Sequence, residues 1–414
     1  MPEAAPPKCR LCRQILRTTF CDLGSAPLAN SLVAPQDSQK KEAFFPLRVY
    51  VCDHCLLVQL EEFQSPNKIF SSYPYFSSYS ATWVEHAKKF AQNTARRFGL
   101  AATSLVIEIG SNDGYLLTHF RELGVPSLGI EPASNVADVA RSNGIETISE
   151  FFGSALASKL VQQKTRADLV VANNVMAHVP DLLDFVRGLA IILAPDGVIS
   201  IEFPHLLRLI QDVQFDTIYH EHFSYFSLRS TEEALRTSGL RVFDAEELGT
   251  HGGSLRIYAC HNGSGHSTTS ERLELLRHEE KRMGLDQLST YAGFEDRVRR
   301  LKRELLALLD TLKREGKTIV GYGAAAKGST LLNYCGIRTN YLEYIVDRNP
   351  HKQGNLLPGV HIPIVPPQKI FETQPDYLLI LPWNIASEIT SQMSDIRKWG
   401  GRFIIPVPRP TVMP

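Results

Sequence analysis

Tyr219-His220-Glu221-His222 packs a phenol, two imidazoles and a carboxylate into four positions. An imidazole titrates near pH 6.5, so it can accept a proton at neutral pH. A neighbouring carboxylate can orient it and stabilise its cation. The cluster therefore reads as a general base with helpers; the competing readings are satisfied structural histidines, or a His-x-His metal pair with no further ligand motif nearby. Another imidazole, His178, follows Asn173 and Asn174 in Asn-Asn-Val-Met-Ala-His-Val. Cys9-Arg10-Leu11-Cys12 and Cys52-Asp53-His54-Cys55 form two knuckles, each able to present two thiolates to one tetrahedral Zn²⁺. Four sulfurs close the coordination sphere, so such a zinc is structural; His54 is expected to be exposed. Cys21, Cys260 and Cys335 read as packing residues.

Two glycine turns could hold ligands. The apolar run Val106-Ile107-Glu108-Ile109 enters Gly110-Ser111-Asn112-Asp113-Gly114, where two glycines leave room for a ligand against bare backbone. The next strand, Ser127 to Ile130, ends on Glu131, seventeen positions past Gly114. That offset suits a carboxylate gripping ribose hydroxyls. The glycine spacing is not the dinucleotide pattern, and a plain βα turn is the bland reading. Gly321-Tyr322-Gly323-Ala324-Ala325-Ala326 does fit G-x-G-x-x-A, and Asp347 closes the next strand twenty-one positions past Ala326. Lys327 would add a point charge for a phosphate. This second turn keeps an NAD(P)-linked oxidoreductase as the rival reading, although only one dinucleotide half is visible. His251-Gly252-Gly253-Ser254-Leu255-Arg256 is either a ligand-approaching turn or a plain hairpin.

The elements that must position these residues alternate. Trp83, Ala87, Phe90, Thr94 and Phe98 recur at helical spacing. Strands are expected at Glu146 to Ile148, preceding Phe152, at Ala167 to Ala172, which delivers Asn173 and Asn174 to its carboxyl end, and at Gly197 to Glu202. Others are expected at Arg241 to Phe243 and Ser254 to Tyr258. A helix from about Leu182 lies between. This pattern implies an α/β fold with a mostly parallel, doubly wound sheet, which binds ligands at its carboxyl edge. A long helix carrying Tyr291, Phe294, Val298, Leu301, Leu305, Leu308 and Leu312 leads into a second α/β module with strands at Thr318 to Val320, Tyr341 to Val346 and Tyr377 to Leu381. The interval Arg13 to Val51 is long enough to hold structure of its own.

With 414 residues, 43% hydrophobic and 21% charged, the chain can build two or three domains. Acids and bases balance at 44 each, which argues against nucleic acid and anionic membrane as partners. No apolar stretch approaches a membrane span, the N-terminus shows no signal peptide, and the thiol usage points to a reducing, cytoplasmic setting.

The turn Glu-x-Gly-x-Asn-Asp-Gly resembles the first motif of class I S-adenosylmethionine (SAM) methyltransferases. Taken with the paired knuckles, Asn-Asn-Val-x-Ala-His-Val, Tyr-x-Glu-His, His-Gly-Gly-Ser-x-Arg and Gly-Tyr-Gly-Ala-x-Ala-Lys, nearly the whole chain resembles the nucleotide-sugar C-methyltransferases that act on 4-keto-6-deoxyhexoses. The resemblance implies a zinc-binding domain (1–70, Cys9, Cys12, Cys52, Cys55) and a class I methyltransferase core (71–267). It also implies a C-terminal Rossmann-like domain (268–414) that helps hold the substrate's nucleotide. It places SAM on Glu108, Gly110, Asn112, Asp113, Gly114, Glu131, Phe152, Asn173 and Asn174. The substrate would meet Tyr322, Lys327, Asp347 and Arg256. The family's base matches His222, and its auxiliary residues match Glu221, Tyr219, His178 and a linker tyrosine. That tyrosine is assigned to Tyr75, which precedes Phe76-Ser77-Ser78; Tyr73 and Tyr79 are the alternatives. The implied reaction is methylation at carbon 3 through an enolate, with carbon 5 as the alternative acceptor. The nucleotide, thymidine or guanosine diphosphate, stays open, and the expected assembly is a monomer or weak dimer.

Overall fold

The computed structural model of the chain describes residues 6–65, 76–79, 81–266 and 269–414. Between and after the knuckles run three antiparallel strands, β1 (Thr18–Ala26), β2 (Phe45–Val51) and β3 (Val58–Leu60). In β2, Leu47, Val49 and Val51 are buried while Arg48 is exposed, the period-2 signature of a one-sided sheet.

The central sheet has seven strands: β4 (Val106–Ile109), β5 (Ser127–Ile130), β6 (Thr147–Ile148), β7 (Ala167–Asn173), β8 (Leu193–Pro204), β10 (Leu240–Leu248) and β11 (Ser254–His261). Their order is β10-β11-β8-β7-β4-β5-β6. The five strands from β4 to β8 are parallel, and β4, at their centre, is buried along its whole length, Glu108 included. The last two form an antiparallel hairpin, because the short turn between them leaves no room for a crossover. From β4 the chain proceeds to β5 and β6 on one side and to β7 and β8 on the other. That reversal opens a crevice above the carboxyl ends of β4 and β7. The intervening strand β9 (Ser224–Tyr225) leaves this sheet and pairs with β3.

A third sheet comprises β12 (Ile319–Tyr322), β13 (Ile345–Val346), β14 (Ile364–Val365), β15 (Tyr377–Ile380), β16 (Arg402–Ile405) and β17 (Thr411–Met413). Its order, β14-β13-β12-β15-β16-β17, gives a second reversal between β12 and β15. The helix Phe294–Arg314 buries Phe294, Val298, Leu301, Leu305, Leu309 and Leu312. Phe294 stacks on Phe20 of β1 at 4.5 Å, so the C-terminal module packs directly on the cysteine module. One apolar core runs through β1 to β3, residues 206–218, the long helix and the third sheet. The segment carrying His222 therefore lies where the three modules meet. No helix among the described residues is long and apolar enough to cross a membrane.

Candidate active site

A cavity of about 620 Å³ runs along the carboxyl edges of both parallel sheets. Its walls include Gly110, Asn112, Glu131, Phe152, Asn173 and Asn174 from the central sheet, and Ala325, Ala326 and Lys327 from the third. His178, Tyr219 and His222 lie on the wall between them, and Asn30 reaches in from the cysteine module.

On the central sheet, Gly110 has φ +67°, and a Cβ there would sit 2.5 Å from Val175 Cγ2. Only glycine fits this turn. Gly114 also has positive φ, but a side chain on it would meet Ile145 in the core; its role is packing rather than ligand approach. The Glu131 carboxylate accepts from the amides of Asn112 and Ala133, each at 2.9 Å. Burial raises its pKa and those two amides pull it back. Asn112 Oδ1 and Asp113 Oδ2 accept from the amides of Ser77 and Ser78, at 2.8 and 3.1 Å, which seats Phe76–Tyr79 on the turn. Asp113 and Glu108 are thus behind the wall rather than on it. Glu108 is wholly buried, and burial beside Asp113 and Glu131 raises its pKa well above that of an ordinary carboxylate. Asn173 Oδ1 and Asn174 Oδ1 are buried on the cavity wall with no hydrogen-bond partner among the described residues. Unmet acceptors are costly, and a bound molecule offering N–H or O–H donors would satisfy them. The amino and hydroxyl groups of SAM fit this requirement, with Phe152, edge-on to Phe185 at 5.6 Å, as an apolar side wall.

The ring of His222 lies 4.7 Å from that of His178 and 4.1 Å from that of Tyr219. His222 Nδ1 is 2.8 Å from the Thr217 carbonyl, and His178 Nδ1 is 2.7 Å from the Glu221 carbonyl. A carbonyl can only accept, so both rings carry hydrogen on Nδ1 and keep Nε2 as the basic nitrogen. Burial drives both pKa values down, His178 to about 4 and His222 well below 6.5, the latter helped by His178, His251 and Lys327. His222 is oriented by a backbone carbonyl, while the Glu221 carboxylate accepts from Asn30 Nδ2 at 2.6 Å. His220 faces the Pro46 carbonyl at 3.1 Å and is structural. Tyr75, like Tyr73, lies outside the described residues.

On the third sheet, Lys327 Nζ donates to Asn384 Oδ1 at 2.7 Å and lies 4.8 Å from the Trp383 ring. Trp383 in turn donates to the buried Asp216 carboxylate at 2.6 Å. Tyr322 and Asp347, expected to touch substrate, are not on the cavity wall. Tyr322 is buried within the apolar cluster of its sheet. Asp347 accepts from the amides of Ala324 and Asn349, both at 2.8 Å. Arg256 is also withdrawn: it pairs with Glu202 at 2.6 Å and covers the Phe90 ring at 4.4 Å, behind the sheet. Its place on β11 points it at the β8 carboxylate, a partner 54 positions away that sequence spacing does not reveal.

Three wall residues are additions to the expected set. His251 has φ +55° and a pKa lowered by burial to about 4; its place in His-Gly-Gly-Ser was the available signal. Lys352 donates to the Ala324 carbonyl at 2.8 Å. Asn30 carried no signal in sequence.

The Sγ atoms of Cys9, Cys12, Cys52 and Cys55 all lie within 4.8 Å of one another. Four sulfurs about 2.3 Å from one zinc are about 3.8 Å apart, and the closest pairs here are 3.4 and 3.5 Å. The cluster fits zinc, and His54 is exposed outside it.

This fold and site define a class I SAM-dependent methyltransferase with a structural zinc module and a second α/β domain. Family models match as a zinc binding domain over residues 9–70, a methyltransferase domain over 83–245 and a C-methyltransferase C-terminal domain over 249–408. The chain is 37% identical over 406 residues to the C-methyltransferase NovU of Streptomyces niveus, covering 98% of this chain and 96% of that one. It belongs to that C-methyltransferase family. Among solved structures it is similar to the PH0226 protein of Pyrococcus horikoshii OT3, with 13% identity, 48% and 100% of the two chains and a TM-score of 0.38. It is also similar to a SAM-bound magnesium protoporphyrin IX methyltransferase of Synechocystis PCC 6803, with 14% identity, 44% and 82% coverage and a TM-score of 0.33.

Proposed function

We propose that the chain methylates carbon 3 of a nucleoside-diphosphate 4-keto-6-deoxyhexose in the cytoplasm, with His222 as general base. We take the three modules as residues 1–70, 71–267 and 268–414. The observation that carries the reading is the fixed, neutral imidazole of His222, basic nitrogen uncommitted to its backbone anchor, on the wall between two ligand-binding sheet edges.

A C–H beside a ketone is acidic because its electrons can move onto the carbonyl oxygen. In this reading His222 Nε2 takes that proton, the C–H bond breaks, and the negative charge settles on oxygen. The one N–H of neutral His178 is taken by the Glu221 carbonyl, so in this reading the donor to that oxygen is the phenol of Tyr219 or Tyr75. SAM supplies an electrophilic methyl group on a sulfonium. The enolate carbon would take that methyl as the methyl–sulfur bond breaks, the sulfonium leaving as neutral S-adenosylhomocysteine, and holding both reactants in one cavity would provide much of the rate. Desolvation keeps His222 neutral and ready to accept a proton. Lys327, beside Ala325 and Ala326 at a helix start, supports binding of the substrate's diphosphate.

Mass spectrometry of turnover tests the assignment. His222→Asn should abolish methylation of 4-keto-6-deoxyhexose nucleotides while SAM affinity stays within about twofold, because the SAM contacts lie on the other wall. Wild-type turnover by this variant would refute the base.

A further inference from the structure

We infer that Arg10, a residue of the first cysteine knuckle, is a positioning residue for the catalytic base. This inference rests on the reading of His222 as that base.

Phe223 follows His222, and its backbone is fixed by three hydrogen bonds, two on its carbonyl and one on its amide. Its carbonyl accepts from Arg10 Nη1 at 2.9 Å and from the Leu60 amide at 3.0 Å, and its own amide donates to the Ala177 carbonyl at 2.7 Å. The guanidinium also lies 5.3 Å over the Phe223 ring, which is fully buried. Arg10 is held in turn: its amide donates to Gln59 Oε1 at 2.8 Å, and Gln59 Nε2 donates to Cys9 Sγ at 3.2 Å. Gln59 has no exposed surface. An unbroken hydrogen-bonded path thus joins a zinc-ligating sulfur to the residue after His222. The pairing of β3 with β9 runs beside it. The Ala177 contact ties the preceding peptide, the one between His222 and Phe223, to the segment bearing His178.

A zinc knuckle serving only its own module would not need a half-buried guanidinium on the backbone of a distant loop. Charge-assisted hydrogen bonds are the stronger kind, and a reacting nitrogen displaced by about 1 Å can cost about 100-fold in rate. The geometry therefore has Arg10 set the direction of His222 Nε2 without touching substrate.

The test uses the zinc-loaded full-length chain with SAM and a nucleoside-diphosphate 4-keto-6-deoxyhexose. Arg10→Met should lower kcat about 10- to 100-fold and slow exchange of the substrate's acidic C–H into D2O in step. Zinc content and SAM Kd should stay within about twofold, and Arg10→Lys should recover part of the loss. A kcat within about twofold of wild type would overturn the inference. So would a parallel loss of SAM affinity, which would mark a general effect on the fold. If Arg10→Met does not fold, Arg10→Lys decides alone: reduced kcat at unchanged SAM Kd supports the inference, and unchanged kcat overturns it. His222→Asn separates the layers. If that variant is active the base assignment fails, whereas an inactive His222→Asn beside a normal Arg10→Met sinks only the positioning role.

Discussion

The central and C-terminal sheets present the same feature to one cavity, a first strand running into a glycine turn and a second strand ending on an acid, yet the two edges are finished differently. At the central edge, Asn173 and Asn174 keep buried acceptors unmet and Glu131 lines the wall. At the C-terminal edge, Asp347 accepts from the Ala324 and Asn349 amides just as Glu131 accepts from Asn112 and Ala133, but it lies off the cavity wall, and Lys327 already has Asn384 and a Trp383 face. Open hydrogen-bonding capacity marks an edge made for a specific small molecule. A self-satisfied edge with one projecting ammonium suits a bulkier anion held by charge. The difference favours the turn at Gly110 to Gly114 over the G-x-G-x-x-A turn at Gly321 to Ala326 as the donor site of the proposed reaction.

The two glycine turns provide the largest contrast. Gly110→Ala places a Cβ about 2.5 Å from Val175 at positive φ, so SAM affinity should fall more than about 100-fold, measured by calorimetry. Gly323→Ala collides with Pro382 at 2.6 Å, and should raise the KM for the sugar nucleotide while leaving SAM affinity within about threefold. Reversal of the two would exchange the roles assigned to the edges. The acids come next. Glu131→Gln should weaken SAM about 10- to 50-fold, since a buried ionic acceptor is lost. Asp347→Asn should leave SAM binding alone and cost about 1–2 kcal/mol of unfolding free energy, because an amide nitrogen then faces a backbone N–H. Lys327→Met should raise the KM for the sugar nucleotide about tenfold at unchanged SAM Kd; an unchanged KM would remove the diphosphate from this edge.

These contrasts also show what the sequence could convey. The β4 turn was legible because strand, glycines and Glu131 are all local, and the cysteine cluster because its spacing is. Arg256 lies off the cavity wall, paired with Glu202, which becomes its neighbour only when β11 lies beside β8. Tyr322 ends its strand inside the apolar cluster of its sheet, an alternation that a strand buried on both faces hides from sequence, and Asp347, just past β13, is taken up by the Ala324 and Asn349 amides. Gly114 was legible as a glycine, though not as one whose reason is Ile145. Asn30 and Arg10 reach the site only through the docking of the cysteine module, which no local pattern encodes.

The smallest expected effect concerns acid, and it probes the wall between the two edges. His178 and His251 are held near pKa 4 and His222 well below 6.5, all chiefly by burial. A lowered pKa means the basic form survives as pH falls through 6.5, where a solvent-exposed histidine would become protonated. The acid limb of kcat/KM, which reports the free enzyme, should therefore lie below the pH 6.5 of an ordinary histidine. Stability has the same sign: the unfolded chain binds protons on these histidines below pH 6.5 and the folded chain does not, so unfolding free energy should decline from there toward pH 4. An acid limb near 6.5 would mean that water reaches the imidazoles freely. The wall would then be an open mouth, and the two edges would belong to separate sites.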